Sequence, residues 1–205
     1  MIKCSLNSIE FEKIVYCKQL LACAKMDKTR LKILKASRDL FANHAFKAVT
    51  TRMIAKKAQV NEVTVFRLFG SKGALIEAVY KHFYVKPNFG FFDTEDMGLE
   101  NLLKKVAGFI HGFFEKNVIL IKIEVRNYDL SSRKRSILKF PEPMLNMLTM
   151  AFANHKGHQT FHARADAIGF ITNVQGLCMN LYVFNTIQDE MGIEELINNI
   201  VDNYK

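Results

Sequence analysis

Residues 50–73, TTRMIAKKAQVNEVTVFRLFGSKG, constrain the fold of this 205-residue chain more than any other stretch. Apolar residues recur there in two short blocks at helical spacing, and a tight break separates the blocks. Thr50 or Thr51 would cap a helix that runs to about Ala58, and Ser71 would cap a later one. The stretch therefore predicts two short helices joined by a turn.

The second block, from about Asn61 to Phe69, would bury Val65 and Leu68 together with Phe69 against a preceding helix. Polar and apolar groups suited to base edges would occupy the remaining arc, because arginine can pair with guanine and apolar groups can contact the thymine methyl. Two short helices with such a face predict a helix-turn-helix. The alternative is an ordinary helical hairpin with an apolar surface. The residues of the arc are Glu62, Val63, Thr64, Phe66 and Arg67.

Positive charge is concentrated in the same region. Residues 26–85 contain twelve Lys and Arg against four Asp and Glu, a net +8 out of +9 for the whole chain. A basic excess confined to one segment is typical of a surface that binds phosphates. The competing interpretation is a solvated surface without a partner.

Helical periodicity recurs elsewhere and predicts an all-α fold in two functional parts. A first helix would span 28–44, with Leu31, Leu34, Ala36, Leu40 and Phe41 on its buried face. Turn signals, including Asn117, divide the second half into helices over about 95–116, 118–130, 140–155, 162–187 and 192–204. We expect a helix-turn-helix domain over 26–85 and a larger helical domain over 86–205.

Residues 1–25 form an N-terminal extension with two interpretations. The segment IEFEKIVYCKQLLACA could form an extra amphipathic helix. Alternatively, MDKTRLKILKAS starts at Met26 like an ordinary N-terminus, and the upstream residues would then not be native. The sequence from Met26 reads well as an N-terminus, which favours the interpretation that the upstream residues are not native.

Cysteine usage and hydropathy indicate a cytoplasmic protein without a membrane partner. Four cysteines without a CxxC motif do not form a disulfide framework. No run is expected to be long and apolar enough to span a membrane.

Three segments carry a specific resemblance: RLKILKASRDLFANHAF, TTRMIAKKAQV and TVFRLFGSKGAL. Over about residues 29–80 they resemble, in order and spacing, the DNA-binding domain of the TetR family of bacterial transcriptional regulators. The resemblance implies phosphate contacts from Thr50 and Thr51, and a groove or backbone contact from Arg52. It implies a recognition helix that carries Asn61, Glu62, Val63, Thr64, Phe66 and Arg67.

Ser71 and Lys72 would open the next helix, whose free N–H groups and positive dipole end suit a phosphate. Three positions depart from the family pattern. Phe66 replaces a tyrosine that commonly binds phosphate, and Gln59 and Ala45 replace glycines. A left-handed turn at Gln59 would cost about 1–2 kcal/mol. The departures affect individual contacts and leave the class of domain unchanged.

The second half is rich in Phe and Met, mostly as expected for a helical core. Polar residues among them predict a mostly apolar pocket for a small hydrophobic effector. The resemblance implies the same ligand site, and it implies a homodimer formed through the last two long helices. A two-fold dimer on palindromic double-stranded DNA also extends the few base pairs that one helix can read. The candidate pocket residues are Phe109, Phe113, Met144, Met147, Phe170, Asn173 and Gln175.

Catalytic motifs are absent from the sequence: it contains no GxSxG, HExxH or Gly-rich phosphate loop. We therefore expect a protein that is not an enzyme and needs no cofactor or metal. The resemblance to the TetR family implies that it is a transcriptional repressor. Two alternatives remain, namely a helical ligand-binding or adaptor protein with a non-functional helix-turn-helix, and a metal-dependent enzyme. The enzyme would use the cluster His155, His158 and His162.

Overall fold

The computed structural model describes residues 28–88, 97–127, 137–139, 141–156, 160–187 and 192–205. These residues form eight α-helices and one π-helical segment, and none of them forms a strand. The predicted all-α fold is confirmed. The described residues fall into two compact units. Residues 28–82 and Asn88 belong to an N-terminal unit, and residues 83–87 and 97 onward belong to a C-terminal unit. The predicted extension over 1–25 lies outside the described residues.

The N-terminal unit contains four helices: α1 (Lys28–Asn43), α2 (Thr51–Ala58), α3 (Glu62–Phe69) and α4 (Lys72–Phe83). Their apolar sides form one core, and α1 packs on α2, which packs on α3. The predicted face of α1 is wrong at Leu31, which is only half-buried, whereas Ile33 is fully buried. The core includes Ile33, Leu34, Phe41, Ile54, Val65, Leu75 and Val79.

The turn between α2 and α3 is left-handed at a residue other than glycine. Gln59 has φ of 57° and ψ of 48°, and its N–H and that of Val60 close the end of α2 on the Lys56 and Ala55 carbonyls. This pair of bonds is a Schellman motif. Ala45, the other position where the family has glycine, does not have positive φ. Only the Gln59 substitution therefore carries a backbone cost.

The C-terminal unit contains α5 (Leu99–Arg126), α6 (Glu142–Lys156), α7 (Thr160–Cys178) and α8 (Ile193–Asp202). A π-helical segment, Met179–Phe184, continues α7 directly. Helix α7 packs on α5, α6 and α8, and α5 also packs on α6, α8 and the π-helical segment. The core contains the fully buried side chains of Leu103, Ile110, Phe114, Ile121, Phe152 and Phe170.

The predicted break at Asn117 is wrong, because α5 continues through it without interruption. Asn117 is only 2% exposed, and its side chain holds the extended segment that follows α4. The Val85 N–H donates to Asn117 Oδ1 at 3.0 Å, and Asn117 Nδ2 donates to the Val85 carbonyl at 3.0 Å. The same amide also donates to the Phe113 carbonyl at 3.1 Å. The Asn117 side chain therefore makes its hydrogen bonds inside the C-terminal unit and fixes the position of Val85 against α5.

One helical run among the described residues, His162–Phe184, is long and apolar enough to cross a membrane on length and composition alone. The expectation that no segment reaches that threshold is therefore wrong. Only 28% of its apolar window is buried. The core helix of a protein that does not span a membrane can meet the same criterion.

Candidate nucleic-acid interface

Helix α3 divides into a buried and an exposed side, but the predicted burial of Leu68 is wrong, because this side chain is only half-buried. Val65 and Phe69 are buried in the N-terminal unit, whereas Val63 is 70% exposed and Phe66 is 48% exposed. Arg67 is also exposed and forms no hydrogen bond or ion pair with the described residues. The unit therefore presents two apolar groups and a guanidinium on one outward surface.

The N-terminus of α3 is fixed by its cap. Asn61 Oδ1 accepts a hydrogen bond from the Val63 N–H at 2.9 Å, which satisfies one of the free donors of the first turn. Asn61 itself is exposed beside the outward surface of the helix. Thr64 is half-buried one residue beyond Val63. The cap therefore fixes the residue at which α3 and its outward surface begin.

The start of α2 is tied to the start of α3 by a side-chain hydrogen bond. Thr51 Oγ1 donates to Glu62 Oε1 at 2.6 Å. The neighbouring Thr50 caps α2, since its Oγ1 accepts from the Met53 N–H at 3.2 Å. Arg52 is exposed on the same turn. The two threonines therefore have different local roles, and only the Thr50 hydroxyl hydrogen has no partner within the described residues.

Ser71 and Lys72 also have distinct local roles. Ser71 Oγ accepts from the Ala74 N–H at 3.0 Å, so that it caps α4 as predicted. The Lys72 ammonium donates to the Phe46 carbonyl at 2.7 Å and to the Val49 carbonyl at 2.8 Å. It also lies 4.3 Å from the centre of the Phe46 ring. Two of its three N–H donors hold the loop between α1 and α2, and a phosphate contact from the third stays a prediction.

The basic residues of the unit form two groups. Three half-buried cations support the fold. Arg30 Nη1 donates to the Leu68 carbonyl at 3.3 Å and its guanidinium stacks on Phe69 at 4.7 Å, and Arg38 pairs with Asp39 at 2.8 Å. Lys72 is the third. The remaining cations are exposed and give the unit its positive surface: Lys28, Lys32, Lys35, Lys47, Arg52, Lys56, Lys57, Arg67 and Lys81.

The structural roles of Arg30 and Lys72 were not evident from the sequence. Both side chains reach across 23 or more residues to a backbone carbonyl, and no local spacing encodes such a contact. The hydrogen bond between Thr51 and Glu62 joins the first residues of α2 and α3, across the length of α2 and the turn that follows it. A model of the helix-turn-helix could have found that bond, because both residues begin their helices.

The candidate pocket residues of the C-terminal unit differ in burial. Met144 and Phe170 are buried, and Phe109, Phe113, Met147 and Gln175 are half-buried. Asn173 is exposed, and its Nδ2 donates to the Tyr204 hydroxyl at 2.8 Å. Gln175 Nε2 donates to the Leu138 carbonyl at 3.2 Å. Both amides are therefore engaged within the chain, and a ligand site formed by the seven residues stays a prediction.

No group of three or more His, Cys, Asp and Glu within the described residues could hold a metal ion. His155 and His162 are exposed, and His158 lies outside the described residues. Cys178 is buried, and burial raises its pKa to about 12, so that it carries no thiolate at neutral pH. Its sulfur is thus unsuited to act as a nucleophile.

Two short helices, a tight capped turn and an outward polar-apolar surface define the N-terminal unit as a helix-turn-helix domain. Residues 33–79 match a family model described as "Bacterial regulatory proteins, tetR family". Over these residues the chain is similar to the DNA-binding domain of the TetR family of bacterial transcriptional regulators.

Curated relatives match over 54 residues of this chain. An uncharacterized HTH-type transcriptional regulator of Bacillus subtilis, YvkB, is 43% identical over 54 residues. The HTH-type transcriptional repressor Rv3405c of Mycobacterium tuberculosis is 44% identical over 54 residues. Each match covers 26% of this chain and 29% of the relative's length.

Solved structures are similar over most of the chain. A TetR-like transcriptional regulator from Rhodococcus sp. RHA1 has a TM-score of 0.57 at 12% identity, with 87% of this chain and 97% of that chain covered. NalD, the secondary repressor of the MexAB-OprM multidrug efflux pump in Pseudomonas aeruginosa, has a TM-score of 0.57 at 16% identity. That match covers 86% of this chain and 96% of the NalD chain. At these identities the similarity establishes the fold.

Proposed function

We propose that this chain is a cytoplasmic transcriptional repressor that binds a palindromic DNA operator as a homodimer. A small hydrophobic effector would release it. The observation that carries the proposal is the outward surface of α3, on which Val63, Phe66 and Arg67 are all exposed. Exposed apolar side chains are costly in water, and their position beside a guanidinium suits the edges of bases in a major groove.

The charge of the N-terminal unit supports DNA as the partner. Its exposed cations include Arg52 and Lys56 on α2 and Lys47 before it. Cations around a groove-binding helix supply sequence-independent affinity by releasing counterions from the phosphates. Binding to DNA should therefore weaken steeply as the salt concentration rises.

The homodimer is supported by α7 and by the geometry of an operator. Ile168 is 48% exposed on α7, and Phe184 is 53% exposed at the end of the π-helical segment. Such a surface is stabilised when a second copy covers it. Two recognition helices separated by about 34–36 Å would then enter successive major grooves of one DNA face.

Release by an effector requires that the ligand prefers a conformation that does not fit the operator. The mostly apolar interior of the C-terminal unit, with Phe113 and Met147 half-buried, supports a hydrophobic ligand. Repression is proposed over activation because Rv3405c and NalD are named as repressors.

Selection of random duplex DNA on the purified protein, followed by a salt titration of the selected sequences, tests the proposal. We expect a palindromic consensus with a steep salt dependence and two chains bound per duplex. Weak binding without sequence preference would contradict the operator function. It would favour the adaptor or ligand-binding alternative, in which the helix-turn-helix no longer reads DNA.

A further inference from the structure

The hydrogen bond between Thr51 and Glu62 determines what each side chain can offer to DNA. Thr51 is the first residue of α2 and Glu62 is the first residue of α3, and both are half-buried. The Thr51 hydroxyl has one hydrogen, and it is donated to Glu62 Oε1 at 2.6 Å. While this bond is present, Thr51 cannot donate a hydrogen bond to a phosphate.

Glu62 is the one acidic residue of the arc defined by Glu62, Val63, Thr64, Phe66 and Arg67. An ionised carboxylate only accepts hydrogen bonds, and close to phosphates or to acceptor atoms of bases it is repelled. One of its oxygens accepts from Thr51, and the other can still accept from DNA. The first turn of α3 and the Thr51 hydroxyl favour a carboxylate here, but contact with DNA is favourable for it only where an amino group of a base faces it.

The major groove offers two such amino groups, N4 of cytosine and N6 of adenine. Adenine places the acceptor N7 beside N6, whereas the neighbour of N4 on cytosine is a carbon-bound hydrogen. Guanine and thymine present acceptors, O6 with N7 and O4 respectively. The carboxylate consequently matches cytosine best and disfavours the other three bases, so that it contributes specificity partly through repulsion.

We propose that Glu62 reads a cytosine in each half of the operator and that Thr51 is the residue that positions its carboxylate. The inference rests on the proposed function, since it requires α3 to enter a major groove. It gives Thr51 a role in base discrimination in place of a direct phosphate contact. Glu62 is the specificity determinant, and Thr51 acts through it.

Parallel selections from a random duplex library on the wild type and the Glu62→Gln variant test this assignment. The wild type should require cytosine at one position of each half-site, and substitution of that base should weaken binding by about 5- to 150-fold. In the Gln variant the preference should change to adenine, because glutamine can donate to N7 and accept from N6. The control is Glu77→Gln, which removes the same charge from an exposed position of α4 and should leave the consensus unchanged.

The Thr51→Val variant tests the positioning role, since valine keeps the shape and removes the hydroxyl. The cytosine preference should fall while preferences at the other positions remain. The thermal unfolding midpoint of each variant shows whether it is folded. Full cytosine discrimination by folded Thr51→Val would contradict the role of Thr51.

The outcomes separate this inference from the proposed function. If the wild type selects no palindrome, the operator function fails and the assignment of Glu62 fails with it. If the wild type selects a palindrome and Glu62→Gln selects the same one, the operator function stands and only the assignment of Glu62 is overturned.

Discussion

Helices α3 and α7 both expose apolar side chains, but their surroundings differ. On α3, Val63 and Phe66 alternate with Glu62 and Arg67 in a unit whose exposed cations dominate. On α7 and the π-helical segment, Ile168 lies near the start of a run from residue 167 to residue 184 without any Lys, Arg, Asp or Glu, directly after Arg164 and Asp166. Exposure alone would give the two helices the same interpretation.

The residues around an exposed apolar group therefore indicate which kind of partner it contacts. An apolar group among hydrogen-bonding and cationic side chains suits DNA, which combines phosphates, polar base edges and methyl groups. An apolar surface without charges suits another apolar surface, because burying charged groups would be costly there. This difference supports the proposal that α3 contacts DNA and that α7 contacts a second copy of the chain.

The largest effects should come from placing a carboxylate on each surface in turn. Val63→Glu would bring a negative charge to the phosphates and base acceptors, and should reduce DNA affinity at least about 100-fold while the dimer persists. Ile168→Glu should convert the dimer to a monomer, since the interface would have to desolvate a charge. Titration of the selected duplex and sedimentation of both variants measure these effects.

We expect Val63→Glu to change the DNA affinity without changing the oligomeric state, and Ile168→Glu to change the oligomeric state. A Val63→Glu variant that loses the dimer, or an Ile168→Glu variant that stays dimeric with wild-type DNA affinity, would contradict the assignment of the two surfaces. The wild-type residues are 70% and 48% exposed respectively, so neither substitution should unfold the isolated chain.

Asn117→Leu should have the next largest effect, on stability. The substitution removes both hydrogen bonds to Val85 and leaves the N–H and carbonyl of this half-buried residue without their Asn117 partners, which costs about 3 kcal/mol of unfolding free energy. Urea unfolding monitored by circular dichroism measures the loss. The control is Asn173→Leu, which removes an asparagine from the exposed side of α7 and should cost less than about 1 kcal/mol.

Equal losses for Asn117→Leu and Asn173→Leu would show that burial of Asn117 does not matter. A second contrast explains why the helix start predicted near Asn61 is correct and the helix break predicted at Asn117 is wrong. Asn61 caps α3 by accepting a hydrogen bond from the Val63 N–H, two residues later. The preference of asparagine for this position is local and can be predicted from the residue type. The partner of Asn117 is Val85, 32 residues earlier, and local patterns carry no information about it.

Lys72→Met should lower stability by about 2 kcal/mol, because the Phe46 and Val49 carbonyls lose a charged donor. Lys56→Met, at an exposed position of α2, should change stability by less than about 0.5 kcal/mol. Chemical denaturation of both variants measures the difference. An unchanged stability for Lys72→Met would favour the alternative role of Lys72 as a phosphate ligand.

The helix-turn-helix could be predicted almost completely from sequence because its signals are local. The caps at Thr50, Asn61 and Ser71 and the end of α2 at Ala58 all follow from neighbouring residues. The long helix α5 could not be predicted, since its continuity at Asn117 depends on tertiary hydrogen bonds. For the same reason the engagement of candidate site residues such as Lys72 emerged only from the folded structure.

Gln59→Gly should have the smallest effect and the opposite sign. Glycine adopts φ of 57° without the steric cost that glutamine bears, and stability should rise by about 1 kcal/mol. Asn185→Gly is the matched control, since Asn185 has φ of 54° and asparagine tolerates this region better. We expect the control to change stability by less than about 0.5 kcal/mol. A loss of stability for Gln59→Gly would show that the glutamine side chain supports the turn.

The most direct test of the central claim, that the exposed side of α3 reads base pairs, is DNA selection on Arg67→Ala beside the wild type. If Arg67 contacts a base, the variant should lose about 1–3 kcal/mol of binding free energy and its preference at one position of each half-site. The preferences at the remaining positions should persist. An Arg67→Ala variant that selects the same sequence with every preference intact would contradict the claim.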